Sequence, residues 1–509
     1  MKRFFTVFSI LFITTQVFSQ ALTRGVCGNM PSEAAEKKLL ASKALFEKLD
    51  IIQIEDLKYV PIKFHLIAKT DGTGRVKEYD ILRQLCVLNE DYSDTEFRFY
   101  IKDADFSYYD SDYIYDSPRT SQLATNQMQA LKNANNNAVN VFVVNNIGGG
   151  AGGLGTVLGY YSGAKDWIVM IKKEPQAGSN TLSHEMGHFF SLLHTFNGWE
   201  GAPFQSSSAG WPKAPFNSPG GPQTENQDGS NCSVAGDKLC DTPPDYNFGI
   251  IWNNCNYTGG AQDYKGDLVD PMENNQMCYF SGCYPYVFTS DQINMMYGDY
   301  AKTSRNYIKS SYVPNNTQVT THANLVSPTN GANTGGNIGV VLDWEDIPDA
   351  DHYLLEVSRY PNFSKLNQNY IVSESQKELP ELTPNVNYFW RVTPFNDGAS
   401  CVAGLTSSKW KFATKPLAIS NIEEINAWDV VPNPTTLSQV RFAIEIAKPL
   451  DITAQVVNVN GQILQSKELT VHAGNQVVQL PEISLPNGTY YLRLISDKGM
   501  ETRRVVIQK

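Results

Sequence analysis

Long apolar runs and clusters of positive charge are both scarce in this chain of 509 residues. Apart from residues 4–17, no stretch approaches the ~20 consecutive apolar residues that a membrane-spanning helix requires, so no transmembrane anchor is expected. The 41 lysines and arginines are outnumbered by 52 aspartates and glutamates, which gives a net charge of −11. The basic residues form no run, and the sequence therefore predicts no nucleic acid partner.

The one apolar run lies near the start of the chain, directly after Lys2 and Arg3. Small and polar residues follow it around Ser19. This order of charged, apolar and small residues predicts a secretory signal peptide over residues 1–19. Export favours disulfides between some of the eight cysteines.

Histidine is also rare, and its distribution is uneven. Of the seven histidines, His184, His188 and His194 fall within residues 181–196. On a helix, the first two project from one face about one turn apart and can bind one metal ion. If the helix continued, His194 would lie about 15 Å along the axis from His184, too far for Zn–N bonds of ~2 Å. The spacing therefore predicts that the helix stops near Ser191 and that the chain turns back.

Three neutral imidazoles leave the fourth position of a tetrahedral zinc ion open, which is typical of a catalytic site. Glu185 lies beside such a metal without having to ligate it, and it can accept a proton from an attacking water molecule. The pattern therefore predicts zinc-dependent hydrolysis of peptide bonds. The alternative is a core or surface helix that carries three histidines for other reasons.

The segment T-L-S-H-E-M-G-H-F-F-S-L-L-H-T-F resembles the metzincin motif H-E-x-x-H-x-x-G-x-x-H, and its end is most similar to the pappalysin and ulilysin-type metalloproteases. The resemblance implies an α+β catalytic domain over residues 56–312, with a mixed sheet and an active-site helix. Ser191 departs from the motif, because the family has a glycine there that readily adopts positive φ. Residues 288–292, F-T-S-D-Q, are similar to the family's F-T-x-x-Q, which opens its C-terminal helix.

Residues 275–279, N-Q-M-C-Y, resemble the Met-turn of the same family. The resemblance implies that Met277 forms an apolar floor beneath the zinc ligands and that Tyr279 helps to hold the tetrahedral intermediate. Met272 is the competing methionine, although no tyrosine follows it at the same offset. Either methionine could instead pack in the core.

Residues 236–243, G-D-K-L-C-D-T-P, resemble the family's G-D-x-V-x-D-T-P stretch, which binds calcium. The resemblance implies Asp237 and Thr242 as calcium ligands, since a hard cation takes several oxygen ligands. The alternative is an aspartate-rich turn closed by proline.

Cys27 lies in R-G-V-C-G, which resembles the cysteine switch in the propeptides of ulilysin-type enzymes. This likeness implies that residues 20–55 are a propeptide and that the Cys27 thiolate binds the zinc in a latent form. The alternative is that Cys27 forms a disulfide.

The other cysteines offer several pairings. Five lie between residues 232 and 283, within a stretch that they are expected to staple, and the disulfide candidates are Cys232, Cys255 and Cys283. The preferred partner of Cys255 is either Cys232 or Cys283. Cys86 lies in an apolar helical pattern and is expected to be a buried thiol, while Cys401 has no obvious partner. Residues 197–231, rich in Ser, Gly, Pro and Asn, are expected to form an exposed insertion.

Short alternating strands after about residue 313 predict two β-sandwich domains. Residues 323–415 resemble a fibronectin type III domain, because L-T-P-N-V-N-Y at 382–388 is similar to its tyrosine corner. Residues 427–509 resemble the C-terminal sorting domain of the type IX secretion system of Gram-negative bacteria, which implies the secretion machinery as a partner. The alternatives are a spacer and a structural sandwich without a role in export.

The sequence thus predicts a multidomain protein, a secreted and latent zinc endopeptidase that hydrolyses protein or peptide substrates outside a Gram-negative cell. The alternative is a catalytically silent adhesin or glycan-binding protein on a protease scaffold. The intact His184, Glu185, His188 and His194 argue against a silent scaffold.

Overall fold

The structure is a computed structural model, and it describes residues 26–30, 32–49, 55–148, 156–208, 210–252, 254–334, 336–364, 368–414, 422–436, 439–459, 461–497 and 499–508. The predicted signal peptide and residues 20–25, 31 and 50–54 of the predicted propeptide lie outside these ranges. The described residues form two compact units. The first comprises those within 1–320, 349–352 and 395–404, and the second those within 321–348, 353–394 and 405–509.

A seven-stranded mixed sheet forms the centre of the first unit. Its strands are β1 (Val26–Cys27), β2 (Lys58–Ala68), β3 (Phe97–Ile101), β4 (Ser107–Asp110), β5 (Val139–Val144), β6 (Val157–Ser162) and β7 (Trp167–Ile171). The order is β1-β6-β7-β5-β2-β3, and β4 also pairs with β2. Only β6 and β7 run antiparallel. The buried, largely apolar β2 and β5 are typical of strands covered on both faces. The mixed sheet expected from the family resemblance is therefore present.

Seven helices accompany this sheet in the described part of the chain: α1 (Glu33–Phe46), α2 (Glu78–Asp91), α3 (Asp112–Asp116), α4 (Gln122–Ala134), α5 (Lys173–Ala177), α6 (Thr181–Phe189) and α7 (Ser290–Ala301). None of them is long and apolar enough to cross a membrane. Thr289 and Gln292 form a reciprocal capping box at the start of α7. The F-T-S-D-Q segment therefore opens a helix, as its sequence predicted.

Helix α1 lies in the predicted propeptide and packs directly on α7. At Gly298 of α7, an added Cβ would lie 2.0 Å from the backbone oxygen of Ser42 on α1. Glycine at this position thus allows the two helix backbones to approach closely.

Three disulfides lie within the first unit, and they correct part of the sequence-based assignment. Cys255 pairs with Cys283, which was one of its two preferred partners, and Cys232 pairs with Cys240. The expectations for Cys86 and Cys401 were wrong, because these two residues form a disulfide with a Cα–Cα distance of 4.8 Å. Their separation of 315 residues left no signal in the local sequence.

The second unit contains four antiparallel or mixed sheets. The first two have three and five strands, which are β8 (Leu325–Ser327), β9 (Ala332–Thr334), β10 (Val341–Trp344), β11 (His352–Ser358), β12 (Gln368–Val372), β13 (Gln376–Glu378), β14 (Asn387–Phe395) and β15 (Trp410–Thr414). The three-stranded sheet has the order β13-β10-β8, and the five-stranded sheet has the order β12-β11-β14-β15-β9. The Tyr388 hydroxyl accepts a hydrogen bond from the Thr383 amide at 3.0 Å.

The other two sheets follow in the chain, with the orders β16-β17-β20 and β19-β18-β21-β22. Their strands are β16 (Ile425–Val430), β17 (Arg441–Ile446), β18 (Leu450–Val457), β19 (Ile463–Val471), β20 (Gly474–Gln479), β21 (Gly488–Ser496) and β22 (Gly499–Ile507). Alternate residues of both sheets, such as Phe442 and Leu492, join one hydrophobic cluster. The two sheets thus share a core.

Candidate metal centre

Helix α6 carries two of the three clustered histidines, and all of its residues are buried. After its last residue, Phe189, the chain reaches Ser191, which adopts a φ of 80°. The Leu192 amide then donates to the Gly187 carbonyl oxygen at 3.0 Å. This six-to-one bond across a left-handed residue is a Schellman C-cap, in which glycine is the usual left-handed residue. The predicted stop near Ser191 and the reversal of the chain are confirmed.

The reversal brings the third histidine back to the first two. The Nε2 atoms of His188 and His194 are 3.1 Å apart, and the His184 ring centroid is 5.2 Å from that of His194. One ligand atom from each of the three rings and from Cys27 lies within 4.8 Å of the others. Two nitrogens bound to one tetrahedral zinc ion would be about 3.4 Å apart. This donor set therefore fits a single zinc ion.

The second nitrogen of each ring contacts a protein acceptor that sets the ring's orientation. Nδ1 of His184 is 2.8 Å from the Gln276 carbonyl oxygen, and Nδ1 of His188 is 2.8 Å from that of Leu192. Nδ1 of His194 is 3.1 Å from Oε1 of Glu200. Each ring can thus donate from Nδ1 and present Nε2 to a metal.

The site favours neutral imidazole. Burial, and then the neighbouring His194, lower the pKa of His188 well below its usual value. Burial also raises the pKa of the Glu200 carboxyl to about 8. A neutral ring is the form that binds a metal.

Glu185 is buried beside the three rings, with 1% of its surface exposed. Strand β6 passes close to it, since a Cβ added to Gly159 would lie 3.1 Å from Glu185 Cγ. Its Oε2 accepts a hydrogen bond of 3.3 Å from the side-chain amide of Asn29. Glu185 lines one cavity with Cys27, His184 and Tyr279, so it lies next to the centre and contacts the segment that contains Cys27.

Met277 lies beneath the active-site helix. A Cβ added to Gly187 of α6 would be 2.5 Å from Met277 Sδ, and Met277 is fully buried. The Sδ atom of the competing Met272 instead lies 3.6 Å from the Asn275 side-chain amide. The structure therefore places Met277 against the helix that carries His184 and His188.

Tyr279 packs against two of the histidine rings, those of His184 and His194. Its ring centroid is 5.2 Å from that of His194. The hydroxyl oxygen is 2.8 Å from the Cys27 amide nitrogen and 3.2 Å from the Cys27 carbonyl oxygen. Burial, and then the Cys27 thiol, raise the pKa of Tyr279 well above its ordinary value. The phenol therefore retains its proton and can donate a hydrogen bond.

The segment around Cys27 adds a strand to the edge of the sheet. Strand β1 pairs in parallel with β6 and is the outermost strand at that edge of the sheet. Cys27 and Cys278 are thiols outside the three disulfides. The structure thus brings Cys27 to the histidine centre, and the alternative that it forms a disulfide is not realised.

A buried ionic network joins α1 to the end of α6. Lys38 Nζ donates to the Phe189 carbonyl oxygen at 2.7 Å and lies 4.0 Å from Asp299 Oδ1. The Ser191 hydroxyl donates to Asp299 Oδ1 and accepts from the Ser42 hydroxyl. Serine at the family's glycine position therefore gains a hydrogen bond that glycine lacks.

Asp237 and Thr242, the predicted calcium ligands, lie together in a second buried cluster. The Thr242 hydroxyl is 2.9 Å from Asp237 Oδ1, and a Cβ added to Gly236 would be 2.2 Å from Glu225 Oε2. Glu225 Oε2 is buried and has no hydrogen-bond partner among the described residues. Burial, and then Asp237, raise the pKa of Glu225, and burial also raises that of Asp237. The cluster thus holds two buried acids beside a hydroxyl, which are oxygen donors of the kind that a hard cation takes.

Glu200, Glu225 and Asn29 were not identified from the sequence as site residues. Glu200 lies in the segment expected to be an exposed insertion, yet it is 6% exposed and the adjacent Trp199 is 4% exposed. That expectation was wrong at the start of the segment, because the polar composition conceals a turn that folds inward behind His194.

Two parts of the chain match known families. Residues 84–195 match the metallo-peptidase family M12B, reprolysin-like, and residues 429–508 match the secretion system C-terminal sorting domain. An extracellular metalloprotease of Arthroderma gypseum is 25% identical over 195 residues, which cover 34% of this chain and 61% of that protein. The chain thus spans less than two thirds of the length of this relative.

Solved structures give weaker likenesses. Tannerella forsythia promirolysin, in a mutant form, is 16% identical with a TM-score of 0.37, covering 56% of this chain and 97% of that chain. The chicken CNTN1 FN1–FN3 domains are 12% identical with a TM-score of 0.18, covering 40% of this chain and 71% of that chain. By sequence, the chain is similar to reprolysin-like metallopeptidases over residues 84–195 and to secretion sorting domains over residues 429–508.

Proposed function

We propose that this protein is a secreted zinc endopeptidase made as a latent precursor. The observation that carries the proposal is the convergence of three imidazoles on one point, with a buried carboxylate beside them. His184, His188 and His194 are the proposed zinc ligands. The match of residues 84–195 to a metallopeptidase family supports the assignment and does not favour the alternative of a silent adhesin.

Zinc at this centre would supply Lewis acidity to the water and to the scissile carbonyl group. Glu185 is the proposed general base, since it shares a cavity with His184 and its carboxylate can accept a proton from the attacking water and pass it to the departing amine. Tyr279 donates a hydrogen bond to the developing oxyanion once its contacts with Cys27 are released. Met277 supports α6 from below.

Latency follows from the segment that occupies the cleft. The Cys27 sulfur lies within 4.8 Å of a nitrogen of each of the three imidazoles, so it is the proposed fourth zinc ligand of the precursor. Asn29 engages Glu185, and Lys38 on α1 bonds to the end of α6. One short stretch thus contacts the ligands, the base and the helix, and removing the propeptide over residues 20–55 would open the site.

Export and the C-terminal regions complete the proposal. Residues 427–509 are proposed as a sorting domain that engages the secretion machinery of a Gram-negative cell, supported by the family match at 429–508. Residues 323–415 are proposed as a fibronectin type III-like sandwich, supported by the hydrogen bond to the Tyr388 hydroxyl. Calcium is proposed at Asp237 and Thr242, with Glu225 as a third ligand.

Casein hydrolysis by full-length protein and by protein lacking residues 20–55 tests the catalytic assignment. We expect cleavage by the shortened form only, lost on zinc chelation and reduced by about 10²–10⁴-fold in Glu185→Ala. Undiminished cleavage by Glu185→Ala would contradict the role of this residue. Wild-type protein without turnover but with glycan or cell binding would support the adhesin instead.

The latency assignment has its own test in the full-length protein. Cys27→Ala should hydrolyse casein without prior removal of the propeptide, because water can then reach the fourth zinc position. Cys278→Ala is the matched control, since Cys278 is a buried thiol that is not in the four-residue metal-binding cluster. Equal latency in Cys27→Ala and wild type would remove the cysteine switch from the proposal.

A further inference from the structure

The three proposed ligands differ in the groups that orient them. Nδ1 of His184 and of His188 faces a neutral backbone carbonyl oxygen, whereas Nδ1 of His194 faces a carboxylate. The carboxylate belongs to Glu200, six residues after His194. Its side chain is 4% exposed, so water does not replace it.

The contacts of Glu200 fix its position. Oε2 accepts a hydrogen bond of 2.8 Å from the Gly198 amide, which leaves Oε1 directed at Nδ1 of His194 at 3.1 Å. On its other side, the His194 ring stacks on Phe196, with centroids 4.5 Å apart and planes inclined by 11°. The ring is therefore held in its plane by Phe196 and at one nitrogen by Glu200.

We infer that Glu200 is a positioning residue for the metal, holding His194 with a hydrogen on Nδ1 and the Nε2 lone pair toward the zinc. When Nε2 of His194 binds a metal, Nδ1 carries the ring hydrogen, and Glu200 Oε1 is the acceptor that holds it. The hydrogen bond from Nδ1 to this acceptor also raises the basicity of the imidazole as a metal ligand. This inference rests on the zinc site proposed above.

Zinc affinity of the full-length chain tests the inference directly. Zinc is removed by dialysis against a chelator and returned in competition with a chelating dye, for wild type, Glu200→Gln, Glu200→Asp and Glu273→Gln. Glu273 is the matched control, because its carboxylate also accepts a backbone N–H bond, from Tyr257 at 2.6 Å, without contacting a histidine. We expect zinc binding to weaken about 10–100-fold in Glu200→Gln and to stay unchanged in Glu273→Gln.

Two further measurements separate positioning from folding. With Co²⁺ in place of zinc, the visible absorption of Glu200→Gln should shift, because the donor strength of His194 changes, while that of the control should not. Glu200→Asp keeps the carboxyl group but moves it away from His194 by one methylene, so we expect a loss of zinc affinity between those of wild type and Glu200→Gln. This variant keeps the inference testable if Glu200→Gln folds poorly. Wild-type affinity and an unchanged Co²⁺ spectrum in folded Glu200→Gln would overturn the inference. A wild-type chain that binds no zinc would overturn the proposed function instead.

Discussion

The histidine centre and the carboxylate cluster around Asp237 are both buried, but they differ in what they need before a cation arrives. Each histidine already has an acceptor at Nδ1 and can be buried as a neutral ring. The carboxyls of Glu225 and Asp237 are neutral only when protonated, and burial raises both pKa values. The histidine site is therefore preformed, whereas the carboxylate cluster requires protons or a cation.

The largest difference between the two sites is expected in their response to selective removal of metal. Withdrawing zinc while calcium is kept in excess should abolish peptidase activity, since the Lewis acid is lost. It should leave the near-ultraviolet circular dichroism nearly unchanged, because the rings keep their protein partners. Unfolding of the first unit when zinc is removed would contradict this contrast, because the histidine site would then not be preformed.

The carboxylate cluster should instead show itself as a dependence of stability on pH in calcium-free protein. The raised pKa values of Glu225 and Asp237 mean that the native state holds more protons than the unfolded chain. Stability from this pair is therefore fully present below the ordinary carboxyl range, near pH 4, and is lost as the pH rises through the raised values. Each tenfold difference in proton affinity between the native and unfolded states corresponds to about 1.4 kcal/mol, so the loss should be on the order of a few kcal/mol.

Urea unfolding at pH 5 and pH 9, in EGTA and in millimolar calcium, measures this dependence. Calcium should restore the stability at pH 9, and Glu225→Gln should flatten the pH dependence because it removes one of the two acids. Glu174→Gln is the control, since Glu174 is also buried but bonds to the Ser179 and Thr181 hydroxyls. Equal stability at both pH values without calcium would show that no cation is needed.

A smaller effect on stability is expected where Met277 packs against α6. Gly187→Ala brings a Cβ within 2.5 Å of Met277 Sδ, and the buried methionine must move to accommodate it. Overpacking of this kind costs about 1–3 kcal/mol. Gly163→Ala is the control, because its nearest neighbour, Tyr161 Cε1, would be 3.7 Å away. Thermal unfolding of both variants measures the difference, and equal midpoints would show that Met277 leaves the helix unconstrained.

The smallest change in the free energy of unfolding is expected on substitution of Ser191. Ser191→Gly relieves a left-handed conformation that costs about 1–2 kcal/mol, but it loses the hydrogen bond to Asp299, worth about 1 kcal/mol. The net change should stay within about 1 kcal/mol. Ser191→Ala keeps the strain and loses the bond, so it should be less stable than Ser191→Gly by urea unfolding. The reverse order would show that the φ of Ser191 carries no strain.

The mixed sheet, the end of α6 and the capped start of α7 were predicted because each depends on residues close together in sequence or on a motif that specifies a known arrangement. The Cys86–Cys401 disulfide was missed because its halves are 315 residues apart. Glu200 was missed for a different reason. It lies in a segment whose overall composition is that of a polar surface loop. The packing of Trp199 on Tyr246, which the sequence does not reveal, shows that the loop turns inward.

The sequence by itself determined the donor set, because the spacing of His184, Glu185, His188 and His194 is a local property of a helix and the turn after it. The tertiary structure decided which carboxylate supports His194, which residue engages Glu185 and which acid faces Asp237. These are contacts between segments whose approach depends on the packing of the whole unit. A sequence records which side chains can ligate or donate, but burial and distance determine which of them meet.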